Sequence, residues 1–138
     1  MSEVIFHWKE VLWTPNSYTA NSVEEVFNVG VGDMVGIILV RTVVAFNGTG
    51  TAAIFELGDD GDVDRFLDAG ELEEESISAA TSFVRAIGAT GGGYILYRNH
   101  LYTAANTIDV NFTAATGADG TAGAVMIKAA IARNVWIA

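Results

Sequence analysis

Cysteine is absent from this sequence, which excludes disulfide staples, thiolate metal centres and cysteine nucleophiles and leaves burial or assembly to hold the chain together. Basic residues are scarce: seven Lys and Arg face seventeen Asp and Glu, for a formal net charge of −10. A field of that sign repels phosphate backbones, so no nucleic-acid partner is expected. Proline occurs once, at Pro15, where it pushes Thr14 out of helical space and predicts a bend after the first apolar stretch. Long apolar runs are also missing. The longest, residues 34–46, is interrupted by Arg41 and falls short of the roughly 20 residues of a membrane helix, so no membrane segment is expected. The start, MSEVIFHWKEVLW, lacks the basic, apolar and small-residue regions of a secretory signal.

What is present is apolar and β-prone. A chain of 138 residues with 51% apolar and 10% aromatic side chains is the size and composition of one packed domain. Residues 1–138 therefore read as a single β-sandwich, with residues 1–15 as an N-terminal strand or arm and residues 133–138 as a C-terminal tail. Val4, Phe6 and Trp8 alternate with Ile5, His7 and Lys9, the pattern of an edge strand. Residues 34–46 are rich in Val and Ile, which fit a pleated sheet better than a helix, and predict a central strand covered on both faces. Asn47-Gly48-Thr49-Gly50 breaks that run, so residues 34–46 and 51–57 are expected to form a hairpin. Residues 69–75 could form one helical turn, residues 76–87 favour strand, and Arg98-Asn99-His100 reads as a turn between two short strands. The alternation of Ile108, Val110 and Phe112 with Asp109 and Asn111 predicts a half-buried strand, and residues 124–132 a last one. The fold class that results is all-β: an antiparallel, jelly-roll-like sandwich of about eight strands with little helix.

Chemistry is concentrated in one place. Ten of the seventeen acids lie between Glu56 and Glu75, with Arg65 the only base among them. Counting twelve residues from Asp60 puts Asp60, Asp62, Asp64, Asp68 and Glu71 at positions 1, 3, 5, 9 and 12 of a Ca²⁺ loop. Arg65 stands where that loop needs glycine, and the preceding segment is strand-like. Three readings stay open: a Ca²⁺ site, an Asp/Gly turn whose carboxylates bond local backbone N–H groups, and an acidic contact surface. Apart from that cation, no cofactor is expected. His7 and His100 are too far apart to form a metal pair by sequence, and Gly91-Gly92-Gly93 lacks the Lys-Ser/Thr of a phosphate loop. No catalytic residue is assigned, and the chain is not expected to be an enzyme. Phe6, Trp8, Trp13 and Trp136 are large apolar groups near the two termini and are the interface candidates.

The run AFNGTGTAAIFELGDDGDVDRFLDAGEL, with the later YTAANTIDVNFTAATGADGTAGAVMIKAAIA, resembles small tailed-bacteriophage virion proteins. The shared pattern is Phe-Asn-Gly-Thr at residues 46–49, Gly-Asp-x-x-Asp-x-Asp-Arg-Phe-Leu at residues 58–67, and Tyr-Thr-Ala-x-x-Thr-Ile at residues 102–108. The resemblance covers roughly residues 23–132. It implies a β-sandwich structural subunit, a capsid decoration (cement) protein on the virion surface whose partner is the major capsid protein. A homo-oligomer, with the trimer as the expected form, agrees with a Cys-free, acidic, apolar chain that works by burying surface. The alternative is a tail- or fibre-associated module that presents residues 89–93 and 114–123 to a host glycan or receptor, with Tyr94, Tyr97 and Tyr102 as stacking aromatics.

Overall fold

The computed structural model describes residues 4–47, 53–67, 84–86, 93–117, 119–133 and 135, with the backbone alone for residues 84–86 and 93–98. Nine strands are described: β1 (Phe6–Trp13), β2 (Ser22–Val29), β3 (Met34–Val44), β4 (Ile54–Asp59), β5 (Asp62–Leu67), β6 (Val84–Ala86), β7 (Gly93–Leu101), β8 (Asn106–Thr113) and β9 (Ala124–Ala132). They form a five-stranded sheet in the order β1-β9-β3-β7-β6 and a four-stranded sheet in the order β2-β8-β4-β5. Without the three-residue β6, the other eight run first-eighth-third-sixth and second-seventh-fourth-fifth, the interleaving of a jelly roll. The expected all-β, jelly-roll-like sandwich is what the chain forms. The described pairs are antiparallel apart from β6 with β7.

Alternation builds the core. Val35, Ile38 and Val40 of β3 and Val125, Ile127 and Ile131 of β9 face Phe55, Leu57, Phe66, Ile108, Val110 and Phe112 from the other sheet, all buried. Fully burying one such side chain is worth roughly 1.5–3 kcal/mol, so this set dominates the favourable side of folding.

Three local expectations are corrected. Residues 34–46 and the strand after them are not a hairpin, because β3 belongs to the five-stranded sheet and β4 to the four-stranded one. The hairpin is β4-β5, closed by Asp60 and Gly61 within the stretch whose sequence readings included an Asp/Gly turn. Arg98-Asn99-His100 is no turn: β7 is continuous, and Asn99 sits at positive φ (45°) where the β3-β7 register slips. β3 is central in its sheet as expected, but its outer residues Ile37, Leu39 and Arg41 are only half-buried. The assignments for residues 69–75 and 76–83 lie outside the described residues.

At one end of the sandwich Asn47 binds the connection between β8 and β9, accepting from the Thr121 and Ala122 N–H groups at 2.8 and 3.0 Å. Tyr18 Oη donates to the Gly123 carbonyl at 2.9 Å, and Asn21 accepts from Ala114 N–H at 2.9 Å. At the opposite end Tyr102 exchanges backbone hydrogen bonds with Gly32 and Asp33, and Val135 N–H reaches the Gly32 carbonyl at 2.7 Å. Asp33 takes the Arg133 guanidinium and Gly30 N–H, so the start of the C-terminal tail is fastened to the turn between β2 and β3.

Candidate interaction surface

The acidic stretch resolves into a structural network around Asp59, a residue the Ca²⁺ count did not include. Asp59 ends β4, and its side chain is 1% exposed. Its Oδ1 accepts from the N–H groups of Gly61 and Asp62, both at 3.0 Å, which is the Asp/Gly self-bonded turn among the three open readings. Its Oδ2 accepts from Arg65 Nε at 2.6 Å and from Tyr102 Oη at 2.8 Å. Burial alone would raise the Asp59 pKa, but the Arg65 and Tyr102 hydrogen bonds outweigh it and hold the carboxyl below its ordinary value. Tyr102 is pushed far up, first by burial and then by the Asp59 carboxylate. His100 packs edge-on against both Phe66 and Tyr102, and burial followed by the Arg65 charge lowers its pKa.

These contacts account for the Gly-Asp-x-x-Asp-x-Asp-Arg-Phe-Leu pattern. Asp59 shapes the turn and Arg65 neutralises it, while Phe66 and Leu67 are fully buried anchors. Of the five proposed Ca²⁺ ligands, the three that are described do not gather at one point. Asp60 is exposed in the turn, Asp62 and Asp64 lie along β5, and Asp68 and Glu71 fall outside the described residues. Among the described residues no three His, Asp or Glu are grouped to hold a metal ion. An EF-hand loop wraps its ligands around one point, whereas an extended strand spreads them by about 3.3 Å per residue.

The interface candidates separate. Trp13 is 4% exposed, stacks on Phe46 and meets Phe55 and Phe112 edge-on at centroid distances of 5.4 and 5.5 Å. It is a core residue, because its place in β1 turns its ring inward between the sheets. Trp136 lies outside the described residues. Phe6 and Trp8 do face outward, with Leu12 on the same side and Val4 and Ile5 exposed just before them. β1 is the edge of the five-stranded sheet and pairs only with β9 among the described strands, Trp8 opposite Ala130 and Phe6 opposite Ala132. The Phe6 ring lies over Gly36, where a Cβ would strike it. This sheet face continues through Leu39, Arg41, Met126 and Lys128, which with Glu10 line a shallow depression. Glu10 and Lys128 pair at 3.6 Å.

The opposite outer face, on the four-stranded sheet, has another character. Cross-strand rows put Val23 beside Asn111 and Glu56, and Glu25 beside Asp109. Asn111 Nδ2 donates to Glu56 at 3.4 Å, and Thr107 Oγ1 donates to Asp109 at 2.7 Å. Asp109 is buried rather than meeting solvent, and burial, with the nearby Asp60 and Glu25 carboxylates, raises its pKa despite the Thr107 hydrogen bond. Sequence alternation placed Asp109 on the outer face but could not show that a second acid would stand directly across from it. Tyr102, considered as a sugar-stacking aromatic, is buried with its hydroxyl committed to Asp59, and the side chains of Tyr94 and Tyr97 lie outside the described residues.

No protein-family model matches this chain, and no curated protein matches it. Two solved structures share its fold. A chain of a structure titled as the cyanophage Pam1 capsid asymmetric unit superposes with a TM-score of 0.59 at 18% identity, covering 94% of this chain and 84% of that one. A chain of the acidic stable capsid structure of Helicobacter pylori bacteriophage KHP30 superposes with a TM-score of 0.60 at 9% identity, covering 94% and 89%. At those identities the likeness establishes a common fold that takes in nearly the whole chain.

Proposed function

We propose that this protein is a structural component of a bacteriophage capsid and, within that role, a decoration (cement) protein that binds the major capsid protein as a homo-oligomer, with the trimer as the expected form. The observation that carries this reading is the match of 94% of the chain to chains from two phage capsid structures on one jelly-roll fold. The outward Phe6, Trp8 and Leu12 support it, since a row of large apolar side chains on an edge strand marks a surface built for burial. The glycan-binding alternative receives less support. Asn47, Tyr18 and Asn21 pin the connection between β8 and β9, and Tyr102 is sealed in the Asp59 network.

The test is quantitative mass spectrometry and cryo-electron microscopy of purified phage particles. A fixed ratio to the major capsid protein, with density on the outer capsid, is the expected result. Recovery with tails, or absence from intact particles, would overturn it.

A further inference from the structure

We propose that copies of this chain associate head to tail, the outer face of the five-stranded sheet of one copy covering the outer face of the four-stranded sheet of the next. This goes beyond the capsid role by naming both halves of the self-contact, and of that reading it uses only the homo-oligomer.

Seventeen acids against seven bases make copies of the chain repel one another unless a region of opposite character meets the acidic surface. Among the described residues the outer face of β1, β9 and β3 has that character. It offers Phe6, Trp8 and Leu12 with Arg41 and Lys128, and its acid, Glu10, already faces Lys128. The outer face of β2, β8 and β4 is the complement: Glu25, Glu56 and Asp109 surround Asn111, and Val23, 63% exposed, stands at the sheet edge. Two copies joined through like faces would instead set acid against acid, or cation against cation.

Burial of Asp109 directly across from Glu25 adds a physical reason for a cationic cover. Like charges opposite one another in a sheet are unfavourable, and a neighbour's Lys128, whose side chain is 42% exposed beside Glu10, would offset that cost. The contact uses different surfaces on the two partners, so it is heterologous and closes into a ring wherever the rotation between copies allows.

The experiment exploits that asymmetry. Trp8→Glu blocks one face and Glu25→Lys the other, and light scattering coupled to size exclusion reads the mass of each variant alone and of their equimolar mixture. Wild type is expected as an oligomer, each variant alone as a monomer, and the mixture as a 1:1 dimer, since one intact pair of faces remains. Leu12→Glu replaces Trp8→Glu should the latter lose its β-sheet circular dichroism. A mixture that stays monomeric would mean that like faces meet, and variants as large as wild type would mean that these faces are not used; either overturns the proposal. So does a monomeric wild type, including one whose Trp8→Glu variant fails to bind capsids, which would assign the β1 face to the capsid protein. An oligomer built through these faces but absent from particles would refute the capsid role and leave this contact standing.

Discussion

Asp59 and Asp109 are both buried aspartates in the four-stranded sheet, yet their neighbours give them opposite signs. Asp59 ionises more readily folded than unfolded, so its contribution is present above the unfolded carboxylate pKa and is lost as pH falls through its lowered folded value. Asp59→Asn should cost about 2–3 kcal/mol in urea unfolding at pH 7 and flatten the acid limb of the stability profile; the figure sits at the low end for a broken buried pair because Arg65, 30% exposed, can rehydrate. Asp109 runs the other way. Its ionised form costs stability at neutral pH, and that cost is relieved as pH drops through its raised pKa. Asp109→Asn keeps an acceptor for Thr107 and removes the charge facing Glu25, so it should gain about 0.5–1 kcal/mol at pH 7 by the same measurement, with the gain vanishing in acid.

The β4-β5 hairpin depends on backbone as much as on charge. Gly58 lies so close to the returning strand that a Cβ there would fall on the carbonyls of Asp62 and Val63, which are main-chain atoms with no rotamer to yield. Gly58→Ala should destabilise by more than about 3 kcal/mol, with loss of protection at β5 amides in hydrogen exchange as the local readout. A mild effect would show that the hairpin can widen without cost. The two ends of the sandwich are fastened by different means, through Asn47 at one and through Asp33 with Arg133 at the other. Neither connection consists of freely projecting loops, and that limits what a ligand could remodel there.

For the whole molecule, β1 keeps one tryptophan, Trp13, in the core and turns the other, Trp8, outward. Trp13→Ala should cost about 3–5 kcal/mol in monomer unfolding, because it empties the contact with Phe46, Phe55 and Phe112. Trp8→Ala, with Trp8 55% exposed, should stay within about 0.5 kcal/mol in the same assay and show its effect only in association. Equal losses for the two would mean that the outer face belongs to the fold rather than to a partner.

Much of this was legible without coordinates. Val/Ile-rich stretches and apolar alternation specify strands because the side-chain period of a strand is two, and residues 23–29, 107–113 and 124–132 fall within one position of β2, β8 and β9. The Asp/Gly turn stood among the open readings for the same local reason: Asp and Gly choose turns through bonds to nearby backbone. Pairing is a long-range property, and there sequence stopped. Adjacency of residues 34–46 and the next strand suggested a hairpin, but the apolar faces of β3 and β4 are buried by facing each other across the core. Only the folded chain decides which acid meets Tyr102, forty-three positions away, and which of two N-terminal tryptophans is inside. Local chemistry determined that this is an acidic β-sandwich; the tertiary fold decided which of its faces are left to cover, because burial depends on neighbours that the linear order does not name.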